Sequence, residues 1–166
     1  SSIDNFEIYF RIKKGRLEFL PKLKETLKTL NLTENRYVLD FTPVKELINL
    51  ESLDISKCRK KDFNYIKDLT KLKRLNLSYN PEADFSPIAN LKNLEYINLY
   101  GCKLKKIEYL RGLTLVRELD LSSNIIDDFS PIFDYQNLVK LTLYQEITLK
   151  NIDFIKNYKT LIILSL

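Results

Sequence analysis

Apolar residues in this chain come in pairs two positions apart, and the pairs recur almost to a fixed beat. They are Leu30/Leu32, Leu53/Ile55, Leu75/Leu77, Ile97/Leu99, Leu119/Leu121, Leu141/Leu143 and Leu164/Leu166. The interval is 22 residues, widening to 23 at the first and last steps. Positions two apart share one side of an extended chain, so each pair predicts a short strand with one buried face. A unit of this length cannot bury that face alone, whereas stacked copies can.

The rest of each unit is as regular. A turn position holds Asn35, Cys58, Asn80, Cys102, Asn124 and, out of pattern, Glu146. An amide there can pair with backbone groups that a coil buried between neighbours would otherwise leave unmet. Next comes a segment such as Asp40-Phe41-Thr42-Pro43-Val44 or Asp84-Phe85-Ser86-Pro87-Ile88. Its third column is Thr42, Asn64, Ser86, Glu108, Ser130 and Asp153, mostly residue types that cap helix N-termini, with Pro following three of them. Apolar triplets follow at a strict step of three, as in Val44/Leu47/Leu50 and Ile88/Leu91/Leu94. That step predicts 3₁₀ turns rather than α-helix. A longer rhythm overlies the first. Asn coils carry Pro (Asn35/Pro43, Asn80/Pro87, Asn124/Pro131) and the others an aromatic (Cys58/Tyr65, Cys102/Tyr109, Glu146/Phe154).

These two half-motifs, recurring in phase, resemble leucine-rich repeats of the short class found in internalins and in a regulatory subunit of type-one protein phosphatase. The resemblance covers residues 27–166, about six full repeats plus the strand of a seventh. It implies a right-handed α/β solenoid with a parallel sheet on the concave face and 3₁₀ or irregular turns on the convex face. Glu146 and the segment Lys106-Ile107-Glu108 depart from the pattern. Residues 1–26 fit it poorly and read as a capping segment or degenerate repeat. There Ile8 and Phe10 lie 22 residues before Leu30 and Leu32, and Lys13-Lys14-Gly15-Arg16 is a charged turn. The start at Ser1-Ser2, and an end in mid-motif with apolar Ile162 and Ile163, predict a piece of a longer chain or a covered edge.

Net charge is +5, and the basic excess lies in the first 112 residues. Lys57, Arg59, Lys60 and Lys61, with Lys103, Lys105 and Lys106, form the densest cluster. It reads as solvated loops, with a nucleic-acid or acidic surface as the alternative. Cys58 and Cys102 fall two coils apart, beyond disulfide reach, and read as buried thiols in the Asn position. That suits a reducing compartment, though buried thiols also survive outside cells. No stretch has the length of a transmembrane helix.

The chain has no histidine, which excludes His-based nucleophilic sites and His metal sites. Three scattered glycines form no phosphate loop, and the adjacent Asp127-Asp128 matches the acidic turn segment of other coils. The sequence therefore predicts a non-catalytic module, without cofactor or metal, that binds a protein partner. A structural spacer is the remaining alternative. Alternation turns three columns out of the concave sheet, most of them small and polar. Against that floor stand Arg74, Tyr96, Tyr100 and Tyr144, with Tyr79 at a strand exit and Asn76, Asn98, Asp120 and Thr142 as polar contacts. Tyr and Arg are the types enriched at binding hot spots. The expected focus is Tyr96 with Tyr100, two residues apart on one strand, their rings forming one contact.

Overall fold

The computed structural model of the 166-residue chain describes residues 17–145 and 152–166, together with the backbone of 8–9. Phe10, the Lys13–Arg16 turn and Glu146 lie outside the described residues. Eight short strands form one parallel sheet in chain order. They are β1 (Ile8–Tyr9), β2 (Thr29–Asn31), β3 (Ser52–Asp54), β4 (Arg74–Asn76), β5 (Tyr96–Asn98), β6 (Glu118–Asp120), β7 (Lys140–Thr142) and β8 (Ile163–Ser165). Register follows the repeat without slippage. Leu30, Leu53, Leu75, Ile97, Leu119, Leu141 and Leu164 lie side by side, and Ile8 sits opposite Leu30. Slipping by one residue would turn every leucine to solvent.

Across the core from the sheet run 3₁₀ turns: Leu20–Leu23, Thr42–Glu46, Asn64–Ile66, Ser86–Asn90, Glu108–Leu110, Ser130–Ile132 and Asp153–Asn157. Their triplets bond in steps of three, Val44 N–H to Phe41, Leu47 N–H to Val44 and Leu50 N–H to Leu47. All three side chains are fully buried. Where Tyr135 and Tyr158 replace leucine in this column, each phenol donates to a carbonyl of the previous coil, Leu110 at 2.7 Å and Ile132 at 2.9 Å. The larger side chain is thus accommodated by satisfying its polar end.

The caps differ from expectation. Thr42, Asn64, Ser86 and Ser130 are the first residues of their turns, and no side-chain cap bond comes from the residue before them. The acceptor is the aspartate two positions earlier. Asp40, Asp62, Asp84 and Asp128 take the backbone N–H groups of Thr42, Asn64, Ser86 and Ser130 at 2.8, 2.8, 2.9 and 2.8 Å. A short carboxylate reaches the N–H two residues on without leaving its turn, which a hydroxyl on the helical residue itself cannot do.

The Asn position works as an internal clip. Asn124 Nδ2 donates to the carbonyls of Leu99, Leu121 and Ser122 at 3.0, 2.6 and 3.2 Å. Its Oδ1 accepts the N–H groups of Cys102 and Leu104. Asn80 does the same with Ile55, Leu77 and Ser78, and accepts Lys60 N–H. Cys58 and Cys102 keep part of this. Their buried thiols point at Leu32 and Leu77 carbonyls of the previous coil, at 3.0 and 3.4 Å, and burial pushes each thiol pKa up to about 11. The two-coil rhythm also appears in a third column. Asn49, Asn93 and Asn137, all in Asn/Pro coils, donate to Lys24, Thr70 and Thr114 carbonyls on the coil before.

Candidate partner-binding face

The columns between buried leucines do face outward. Asn31, Asp54, Asn76, Asn98 and Asp120 occupy one column, half-buried, and each accepts the backbone N–H two residues on. The partners are Thr33, Ser56, Ser78, Tyr100 and Ser122, at 2.8–3.1 Å. This Asx turn ends β2 to β6 at the same point. Asn76 is committed further, its Nδ2 donating to Asp54 Oδ2 at 2.8 Å. The polar floor is thus largely occupied with its own architecture.

Past the strand end, the backbone crosses to the left-handed region in each coil from β2 to β7. Glu34, Lys57, Tyr79, Ser123 and Gln145 have φ between 55 and 63°, and Gly101 has φ 64°. Only one of these is glycine, so no sequence signal announced the column. Tyrosine is a poor choice for positive φ, yet Tyr79 takes it at 56° and stands 46% exposed. The next coil makes room for its ring. A Cβ on Gly101 would lie 3.3 Å from Tyr79 Cδ1.

The expected aromatic patch is present but paired otherwise. Tyr100 meets Tyr79, with ring centroids 5.0 Å apart and planes at 48°. The neighbouring Tyr100 side chain holds the Tyr79 phenol above its ordinary pKa. Lys57 Nζ lies 5.8 Å from the Tyr79 ring centroid. Tyr96 instead carries Arg74, whose guanidinium carbon is 4.2 Å from the ring centroid. Asn98 links the two groups: Nδ2 reaches the Tyr96 hydroxyl at 3.4 Å, while Oδ1 holds Tyr100 N–H at 2.9 Å. Tyr96 and Tyr100 share a face but turn to different neighbours. Arg74 is in register with Tyr96, whereas Tyr100 lies past the strand end, where the left-handed turn at Tyr79 brings that ring beside it.

Tyr144, 52% exposed, stands apart from this group with Ser122 between it and Tyr100. Its N–H is held by Ser122 Oγ at 3.0 Å. Asp120 and Thr142 lie side by side on β6 and β7. The basic turns are interleaved with acid. Lys57 pairs with Glu34 at 3.2 Å, and Glu82 bridges Lys61 and Lys103 at 3.2 and 3.1 Å. Lys60 leans on its own coil stack, its Nζ on the Val38 carbonyl and 4.5 Å from the Phe41 ring centroid. Among the described residues there is no His, Cys, Asp and Glu cluster fit for a metal, and no helix long and apolar enough to cross a membrane.

A parallel sheet of three-residue strands, a 3₁₀ turn returning each coil, and a buried Asn or Cys clip define a solenoid of leucine-rich repeats. A family model described as two copies of leucine-rich repeats matches residues 92–134. Among solved structures the chain is similar to an internalin F from Listeria monocytogenes, with 28% identity and TM-score 0.81, over 90% of this chain and 44% of that one. It is also similar to internalin C2 of that organism (23%, TM-score 0.75, 92% and 77%) and to a leucine-rich-repeat protein of Leptospira interrogans (24%, TM-score 0.64, 86% and 43%). The chain thus spans less than half of the internalin F. No curated protein matches it by sequence. The chain thus has the leucine-rich-repeat solenoid fold and resembles the internalins.

Proposed function

We propose that this is a non-catalytic binding module that holds a protein partner on its concave face. The observation carrying this reading is the placement of Arg74, Tyr79, Tyr96 and Tyr100. They rise together from a floor of small polar residues that spend their hydrogen bonds on the strand-ending turns. Aromatic and Arg side chains on a flat, preorganised surface are the usual anchors of protein interfaces. Seven strands from β2 to β8 span about 29 Å, room for the roughly 800 Å² that one partner contributes to a standard interface. Glu34 and Glu82 break up the basic turns, which favours a protein over a polyanion such as nucleic acid.

The test is a double substitution, Tyr96→Ala with Tyr100→Ala. A protein retained by the immobilised chain from extracts of its source should bind the double variant at least tenfold more weakly, with thermal unfolding nearly unchanged. Equal binding with lost stability would make the tyrosines packing residues. Equal binding with equal stability would move the interface elsewhere.

A further inference from the structure

Arg74 is the cation of the concave patch, and it takes no part in the ion pairs that tie neighbouring coils together. Lys28, Lys57, Lys61, Lys73, Lys103 and Arg111 each meet a carboxylate at 2.8–3.5 Å. Arg74 is exposed, and among the described residues no carboxylate lies within ion-pair distance of it. Its in-register neighbours are Ser52 and Tyr96. Asp54, the acid of the adjacent strand, has both oxygens taken, Oδ1 by Thr33 Oγ and by the N–H and Oγ of Ser56, Oδ2 by Asn76. The guanidinium rests on the Tyr96 ring, and Tyr96 is in turn bonded by Asn98. A guanidinium laid on a ring keeps its planar N–H edge free, and that fork matches a carboxylate. The Tyr79–Tyr100 pair lies beyond the strand end, about 13 Å along the chain direction from Tyr96.

Resting on the concave face being the binding face, we propose that its occupant is an extended acidic segment of a protein, with one carboxylate on Arg74. A large apolar side chain about four residues away packs against Tyr79 and Tyr100. Charge complementarity at this one position carries the choice: Arg74 is laid on Tyr96 and exposed, Asp54 beside it has both oxygens bonded, and the other acids of the face, Glu118 and Asp120, stand on β6 beyond Tyr96.

A random twelve-residue peptide library displayed on phage, selected against the intact chain, tests this. Selected peptides should be enriched in Asp or Glu with an aromatic or leucine about four residues away. Arg74→Gln should weaken them at least tenfold, Arg74→Lys less, and Arg74→Glu should abolish binding, all at unchanged thermal unfolding. A selection without acidic enrichment, or binders indifferent to Arg74→Gln, overturns the proposal. If such binders are nevertheless lost with Tyr79→Ala and Tyr100→Ala, the concave reading stands and only the acidic partner falls. If they survive both sets, the concave reading falls as well. Displacement of the peptides by a uridine 20-mer at micromolar concentration would overturn the assignment in favour of a nucleic-acid site.

Discussion

Arg74 stacks on Tyr96 across β4 and β5, its guanidinium carbon 4.2 Å from the ring centroid. Both side chains project from the sheet, so their contact orders the surface more than it holds the fold. An exposed cation–π pair is worth about 0.5–1 kcal/mol. A double-mutant cycle of Arg74→Ala and Tyr96→Ala in urea should give a coupling in that range, and neither single change should lower stability by more than about 1 kcal/mol. A coupling above about 2 kcal/mol would assign the pair to packing.

Tyr79 sits where the backbone suits glycine, at φ 56°. Strain of this kind costs on the order of 1 kcal/mol and gathers at functional sites. Tyr79→Gly should therefore leave urea stability unchanged or higher while weakening the partner complex. Gly101→Ala should do the reverse of relief. It adds a Cβ at φ 64°, 3.3 Å from the Tyr79 ring, and should cost roughly 1–2 kcal/mol. Stability lost in Tyr79→Gly and gained in Gly101→Ala would contradict the strain account.

Much of this was legible from alternation alone. The outward columns, the register and the 3₁₀ step follow from where Leu30, Leu32, Val44 and Leu47 recur, because periodicity and burial are one fact seen twice. The missed features are those that any of several residue types can fill. Glu34, Lys57, Ser123 and Gln145 carry the same left-handed turn as Gly101, since main-chain bonds to the next coil hold it: Glu34 N–H to Ser56 and Lys57 N–H to Ser78. The capping role fell to Asp40 and Asp84 instead of Thr42 and Ser86, because the same motif letters allow either acceptor geometry. Tyr96 and Tyr100 share a face, but the positive φ at Tyr79, unseen in the sequence, decides which ring Tyr100 meets.

The clip column predicts an ordering of stabilities. Asn124→Ala removes three donated bonds and two accepted ones inside the core. Buried groups left unpaired cost about 1–3 kcal/mol each, so the loss should be at least about 3 kcal/mol in guanidinium. Cys102→Ala should cost less. In the native chain both thiols, raised to about 11 by burial, should react with a disulfide reagent at pH 8 only as fast as the protein opens, and at once in denaturant. Similar losses for the two substitutions, or immediate native labelling, would contradict this.

With no histidine, stability should be flat from about pH 5 to 8. Below that range it should fall. Glu51 is held below its ordinary pKa of 4.5 by Lys73 bonding, Glu82 by Lys103 and Lys61, and Asp128 below 3.8 by the Ser130 N–H. Depressed carboxylates stabilise the fold fully above their unfolded pKa, and that contribution disappears as pH drops through the folded values. At the alkaline end the buried Tyr65, Tyr109 and Tyr135 phenols are pushed up by desolvation. The unfolded chain ionises first there, at the Cys58 and Cys102 thiols, raised from 9.0 to about 11 by burial, and then at these phenols, so stability should fall as pH rises past about 9. Thermal unfolding across pH 3–11 reads both limbs; a step near pH 6.5 would contradict the assignment.

The most direct test of the binding face is hydroxyl-radical footprinting of the chain with and without its partner, read at the tyrosines. Tyr37, 64% exposed in the turn after Asn35, is the internal control against Tyr79 at 46% and Tyr144 at 52%. Binding on the concave face should slow oxidation of Tyr79, Tyr96 and Tyr100 severalfold and leave Tyr37 unchanged. Protection at Tyr37 with unaltered rates at Tyr79, Tyr96 and Tyr100 would contradict it.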